Sequence, residues 1–300
     1  MKEAVIAVDV GGNNIRAAIV DANGGISFRQ EEPTVSNRSF TGVCEQIRRF
    51  ASAAISRGQS DGLLIRGVGI SVPGYIRHRD NLITFAPNFK DFRNVSFYEA
   101  LRRDFSVPIL IENDGNCHAL GEWWKGKGEG LRHVLALILG TGVGGGIILD
   151  GRIVRGASGA AGELGHMVVD PNGPLCGCEG NGCLEAYASA TAMERKFGRT
   201  PLQIEQDARN GDATSIEAYR EVGRALGIAI SSLCTILEPE LVVLAGKISK
   251  GYDLFLPSIR QETDRRLKNH PMTKVRIEQA KNIDDAGILG AAWLAFQGNP

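Results

Sequence analysis

The chain opens on a short apolar run, residues 4–12 (AVIAVDVGG), which breaks at a double glycine and is followed by a second run, 15–21 (IRAAIVD). Apolar stretches of this length, punctuated by glycine, predict two strands joined as a hairpin. Residues 40–57 then place apolar side chains at helical spacing. A strand ending in a turn follows at 67–74 (GVGISVPG), a short helix at 98–105, and an apolar strand that ends on polar residues at 107–114 (VPILIEND). Residues 115–125 have a helical pattern. The second half has the same logic: strands at 134–139 and 146–149 around a glycine-rich turn, a continuation of the meander at 151–154, a long helix at 217–237 and an apolar strand at 241–245. A helix at 252–268, an extended segment at 275–279 and a small-residue-rich helix at 287–296 complete the pattern. Strands that first hairpin and then alternate with helices, once in each half, predict two α/β domains with mixed sheets. No low-complexity linker separates them. The boundary is expected near Asp114, giving domains 1–113 and 114–284, with a C-terminal helix at about 285–300 packing back on the first. A cleft between two such domains is the expected ligand site.

Composition narrows the function classes. Apolar residues are 43% and charged residues 23% of the chain, so wholesale disorder is not expected. Lys+Arg and Asp+Glu are 34 each, and no block of like charge stands out, which argues against nucleic acid as the main partner. The longest uncharged stretch, 134–149, contains five glycines and falls short of the ~18 apolar residues that suggest a membrane span. Asp9 interrupts the N-terminal apolar run, so no signal peptide is expected and the protein is read as cytoplasmic. Glycine is the outlier at 38, a surplus of about 17 over average usage, without the period of collagen. Such a surplus implies tight turns or backbone brought close to ligands.

Four places carry candidate chemistry. The hairpins at 9–14 (DVGGNN) and 139–146 (LGTGVGGG) expose backbone N–H groups that could cradle phosphate oxygens, and Asp9 beside the first could anchor a hydrated Mg²⁺. Two ordinary tight turns are the plainer alternative. The letters of 140–145 (GTGVGG) match a dinucleotide fingerprint, but a strand follows where that motif needs a helix. Residues 121–128 (GEWWKGKG) miss the P-loop because glycine follows Lys127. Second, Glu112, Asn113 and Asp114 end an apolar strand, where carboxylates of α/β folds face the ligand crevice; Asp114 could take a proton from a hydroxyl, or simply cap the next helix. Third, His166 with Cys176, Cys178 and Cys183 supplies one imidazole and three thiolates, the set for a closed structural zinc site, whereas Cys44, Cys117 and Cys234 read as small buried hydrophobes. Fourth, Glu163 and Glu185 flank that cluster, as sugar-hydroxyl ligands or as solvated surface groups.

Together these segments resemble the ROK family of sugar kinases and related repressors, from about Val5 to Ala295. The run from Asp9 to Gly12 is similar to the family's first phosphate motif and 139–146 to its second. Residues 163–166 (ELGH) match its E-x-G-H motif, and 176–185 (CGCEGNGCLE) resemble its zinc loop. The resemblance implies an actin-like, hexokinase-type ATPase fold of two domains around a cleft, with a zinc loop. It implies transfer of the γ-phosphoryl of MgATP to a sugar 6-hydroxyl, with Asp114 as general base. Gly74, Asn88, Asn113, Glu163, His166 and Glu185 would form the sugar pocket. Asp9, Gly11, Gly12, Asn13, Gly140, Thr141, Gly142 and Gly246 would meet the nucleotide and its magnesium. His166 would give one ring nitrogen to zinc and the other to the sugar.

Some positions depart from the family pattern: Asn13 stands for threonine, Gly115 for alanine and Glu179 for a glycine of the zinc loop. Residues 244–248 (LAGKI) stand where a glycine run usually approaches the nucleotide, so Ala245 and Lys247 bear on the choice of phosphate donor. The family's repressors carry a winged-helix domain ahead of the first phosphate motif. Here the phosphate strand starts within five residues of Met1, so an enzyme is expected rather than a regulator. The C-x-C spacing is similar to that of the glucokinase-like branch, which makes glucose the expected hexose, with N-acetylmannosamine or N-acetylglucosamine next. A homodimer or homotetramer is the expected assembly.

Overall fold

The computed structural model describes residues 1–87, 89, 91–271 and 274–298; Asn88 lies outside the described residues. The chain divides into two compact units, one of Met1–Glu129, Ile153–Ala161 and Asp284–Pro300, the other of Gly130–Arg152 and Gly162–Ile283.

The first unit holds strands β1 (Lys2–Val10), β2 (Asn14–Asp21) and β3 (Ile26–Pro33), helix α1 (Phe40–Ser60) and strand β4 (Leu63–Val72). A small hairpin of β5 (Tyr75–Arg77) and β6 (Leu82–Phe85), helix α2 (Phe97–Leu101), strand β7 (Ile109–Asn113) and helix α3 (Asp114–Lys125) follow. The five-stranded sheet has the order β3-β2-β1-β4-β7; β1 is antiparallel to β2 and parallel to β4, and β4 is parallel to β7. Strand β1 is buried continuously from Ala4 to Val10 because both faces of the sheet are covered. Ala4, Ile6 and Val8 pack with Val43, Ile47 and Phe50 of α1. The alternate residues Val5 and Ala7 pack on the opposite face with Cys117 of α3, Ile288 and Ala292.

In the second unit β8 (Val134–Leu139), β9 (Val143–Leu149) and β10 (Arg152–Ile153) lead through an irregular loop to helices α4 (Glu185–Ala188), α5 (Ala190–Phe197), α6 (Pro201–Arg209) and α7 (Ala213–Leu237). Strand β11 (Leu241–Ala245), helix α8 (Tyr252–Arg266) and strand β12 (Ile277–Gln279) complete it. The sheet order, β10-β9-β8-β11-β12, has the first sheet's pattern, with β8 antiparallel to β9 and parallel to β11. Leu135, Leu137, Val242 and Leu244 pack with Val222, Leu226 and Ile230 of α7 and Phe255 of α8. Each sheet thus begins with a glycine-tipped hairpin and continues into parallel strands.

Helix α9 (Ala286–Gln297) returns to the first unit and packs on α3 and β4. The approach is close enough that a Cβ on Gly69 of β4 would fall inside the carbonyl of Ala291, which accounts for the small residues on both elements. The expected boundary at Asp114 differs from this division in two places: the first unit runs on through α3, which packs on α9, to Glu129, and it also includes Ile153–Ala161. Strand β3 and helices α5 and α6 were not legible as periodicity. In β3, half-buried and exposed positions alternate along a sheet edge, with Arg29 and Glu31 among the exposed ones. Strand β9 starts at Val143, three residues earlier than expected, because Gly144, Gly145 and Gly146 pair directly with β8. Among the described residues no helix is long and apolar enough to cross a membrane.

Candidate functional site

In the first unit the β1–β2 turn closes by a hydrogen bond from the Gly11 N–H to the Asn14 carbonyl, 2.9 Å. Thr34 holds it from behind, its hydroxyl donating to the Gly11 carbonyl at 2.7 Å and its N–H to that of Asn13 at 2.8 Å. Nothing lies within contact of the position a Cβ on Gly12 would take, so this side of the turn is open. Asp9 is the next-to-last residue of β1 and is buried. Its Oδ1 accepts from the Ser71 hydroxyl (2.7 Å) and its Oδ2 from Arg16 Nη2 (2.6 Å). Neither Arg16 nor Ser71 was singled out in the sequence. Both face Asp9 through strand register, Arg16 directly opposite on β2 and Ser71 on β4.

Asp114 stands immediately beyond β7, as the first residue of α3. The cap of this helix is Asn113, whose Oδ1 accepts from the Asn116 N–H at 3.1 Å. The reading of Asp114 as a capping residue is therefore corrected; its Oδ1 accepts from the Gly115 N–H at 3.0 Å. Burial raises the pKa of that carboxyl, the negative charge of Asp9 raises it further, and His118 opposes both. His118 lies one turn along and its Nδ1 is 2.8 Å from the Asp114 carbonyl oxygen. Because a carbonyl only accepts, this contact places a proton on Nδ1. The Asn113 amide donates to the Gly74 carbonyl at 3.0 Å. Gly74 has φ +113°, and a Cβ there would stand 2.6 Å from the Phe85 carbonyl, so no other residue fits this turn. Gly74, Asn113 and Asp114 are thus brought together in one unit.

In the second unit the β8–β9 hairpin is tipped by Gly140, Thr141 and Gly142, with the Gly140 N–H donating to the Gly142 carbonyl at 2.9 Å. Gly246 follows β11 at φ +82°, and a Cβ there would run into the backbone of Leu139, so the hairpin base and the β11 end are in close contact. Glu185 is not a solvated surface carboxylate: its Oε2 accepts from the Val143 N–H at 2.9 Å and its Oε1 lies 3.7 Å from Cys176 Sγ. Glu163 precedes the helical turn Leu164–His166, and its carbonyl accepts from the His166 N–H at 3.1 Å.

The His166, Cys176, Cys178 and Cys183 ligand atoms all lie within 4.8 Å of one another. Cys176 Sγ is 3.8 Å from His166 Nδ1, and Cys178 Sγ is 3.6 Å from Cys183 Sγ. A tetrahedral zinc with Zn–S bonds of about 2.3 Å needs sulfurs about 3.8 Å apart, so the Cys178–Cys183 spacing matches and the four groups together could hold such an ion. Presenting Nδ1 to the thiolates leaves Nε2 of His166 available to a second ligand. Glu179 sits in this loop at φ +69°, the left-handed conformation that favours glycine. Cys44, Cys117 and Cys234 are buried away from it.

The model of the ROK family matches residues 5–298 of this chain. The chain is 34% identical to a glucokinase of Thermotoga maritima over 97% of this chain and 96% of the relative. It is 31% identical to a xylose repressor of Bacillus subtilis, over 87% of this chain and 69% of the relative. Among solved structures, a ROK family glucokinase from Streptomyces griseus in complex with glucose and AMPPNP superposes with a TM-score of 0.82 at 32% identity, covering 98% of this chain and all of that one.

Proposed function

The chain belongs to the ROK family, and from that premise we propose that it is a sugar kinase, transferring the γ-phosphoryl of MgATP to the 6-hydroxyl of a hexose, with glucose as substrate. The observation that carries the reading is Asp114, a carboxylate placed at a strand end by a helix it does not cap and made more basic by burial. The glucokinase relatives, and the glucose and the ATP analogue AMPPNP held by the Streptomyces griseus protein, favour this substrate pair.

In this mechanism the Asp114 carboxylate takes the proton of the 6-hydroxyl as its oxygen attacks the γ-phosphorus. The bond to the β,γ-bridging oxygen breaks and ADP leaves. Gly74 and Asn113 orient the sugar on the side of the base, Glu163, the Nε2 face of His166 and Glu185 hold its other hydroxyls, and Asn88, outside the described residues, is the further sugar ligand that the family resemblance implies. The N–H groups of Gly12, Asn13, Thr141 and Gly142 would donate to phosphate oxygens, those of Gly11 and Gly140 being taken up in closing the two turns, and Gly246 would let the nucleotide approach. Magnesium bound with ATP would supply charge neutralisation at the phosphate oxygens, and Asp9 is the carboxylate that would hold its water. Zinc on His166, Cys176, Cys178 and Cys183 would fix the imidazole and the loop leading to Glu185, without taking part in the chemistry.

The test is ADP release from MgATP across glucose, N-acetylmannosamine, N-acetylglucosamine, mannose and fructose. Turnover highest with glucose is expected; none with any sugar or nucleotide would overturn the kinase reading, and preference for an N-acetylhexosamine would overturn the choice of glucose. Asp114→Asn should bind glucose by calorimetry yet lose about 10²–10⁴ in kcat.

A further inference from the structure

A heavily bonded buried charge in the first unit is Glu112, two residues before Asp114, which the mechanism above does not use. Its side chain is fully buried. Oε2 accepts from Arg155 Nε at 2.7 Å; Oε1 accepts from the Asn116 side-chain amide and from the Asn113 N–H, both at 3.0 Å, and lies 3.3 Å from His78 Nε2. These partners come from three places. Asn113 and Asn116 are the cap and first turn of the helix that begins with Asp114, and His78 follows the β5–β6 hairpin's first strand. Arg155 belongs to Ile153–Ala161, the stretch where the chain leaves the second unit, joins the first, and returns to the second just before Glu163.

A second contact anchors the far end of that passage. Gly159 has φ +83°, and a Cβ on it would coincide with the Ile76 carbonyl of β5, so the passage lies flush on the hairpin. Between the two anchors, Gly156, Ala157 and Ser158 are exposed and carry no apolar side chain able to hold the segment by packing. Stability by itself is a weak reason for such a pair, since replacing a buried ion pair by well-packed apolar groups is commonly neutral or stabilising, even though the carboxylate, once buried, depends on its partners. What it does is tie the base's helix and the connecting passage to one carboxylate.

We propose that Glu112 and Arg155 are positioning residues for phosphoryl transfer: the pair holds the passage 153–161 and the start of α3 in register, so that Asp114 is aimed at the hydroxyl it deprotonates. The proposal rests on the sugar-kinase reading for its catalytic consequence, but not for the docking itself. Phosphoryl transfer depends on placement, and a displacement of about 1 Å from a change away from the chemistry can cost about a hundredfold.

The experiment compares the full-length wild type, Arg155→Met, Arg155→Lys and the charge-free double variant Glu112→Gln/Arg155→Met, which leaves no buried ion unpaired if the single variant fails to fold. Amide hydrogen exchange over 153–161 is read beside steady-state kinetics on glucose. In Arg155→Met and the double variant, exchange in the passage should quicken by about tenfold or more with α7 unchanged. In the same proteins kcat should fall about a hundredfold while the glucose KM moves less than about threefold, and Arg155→Lys should recover about tenfold of that loss. A double variant with wild-type kcat, or a passage whose exchange does not change, would overturn the proposal. Should the wild type turn over no sugar, the kinase reading falls, and the exchange result alone decides whether the pair holds the passage.

Discussion

Glu112 also makes acid stability a sharp test of the structure. Burial alone would push its pKa up, but the approach of His78, the charge of Arg155 and the amide of Asn116 outweigh burial and hold it at about 2, against an ordinary 4.5. A carboxyl depressed in the folded state contributes stability above its unfolded pKa and loses it as pH falls toward the folded value. The difference of about 2.5 units corresponds to about 3 kcal/mol, present in full at about pH 7. By about pH 3 roughly 2 kcal/mol of it is gone, and the rest goes as pH approaches the folded value of about 2. Glu112→Gln has no carboxyl to titrate there. Urea unfolding of both proteins at the two pH values, followed through a probe in the first unit, should therefore give curves that converge toward low pH, the variant's deficit shrinking by about 2 kcal/mol. Zinc lost in acid affects both proteins alike and cancels in the difference. A deficit that is the same at both pH values would refute the account of Glu112 as a buried, paired carboxylate.

Three other outcomes follow from the geometry. The raised pKa of Asp114 places the acid limb of kcat/KM above the ordinary carboxylate range, with activity rising as the base deprotonates; a limb at or below about pH 3.9 in the pH–rate profile would contradict its burial beside Asp9. Metal analysis of the purified protein should find about one zinc per chain, lost in Cys178→Ser together with a lower Tm, whereas a fully folded, metal-free native protein would contradict the site. Gly69→Ala must push the Ala291 carbonyl of α9 aside and should cost about 1–3 kcal/mol, read as a lower urea midpoint; an unchanged midpoint would mean that β4 and α9 are not in this contact.

Much of the site was legible because its chemistry is local. Three cysteines of the candidate metal cluster crowd into a short, glycine-rich loop, and the two glycine-tipped hairpins announce themselves by glycine beside apolar strands; both depend on spacing along the chain. The main helices were legible for a similar reason, since a helix that buries one face shows its period directly. What the sequence could not display was pairing at a distance. Arg16 is an unremarked polar residue of a strand until the antiparallel register sets it opposite Asp9, and Ser71 becomes a ligand of the same carboxylate only through a parallel pairing across the sheet. Asn113 rather than Asp114 caps α3 because the helix starts one residue earlier than its apolar pattern, which periodicity cannot resolve. Glu112 and Arg155 are 43 residues apart, in a strand end and a connecting passage that share no motif. Residue type and local spacing, which set hydrophobic period, turn chemistry and ligand clusters, were therefore determined by the sequence alone. Which charges are buried, what neutralises them and how that shifts a proton was decided only by tertiary structure, because desolvation and Coulomb energy depend on distance in space.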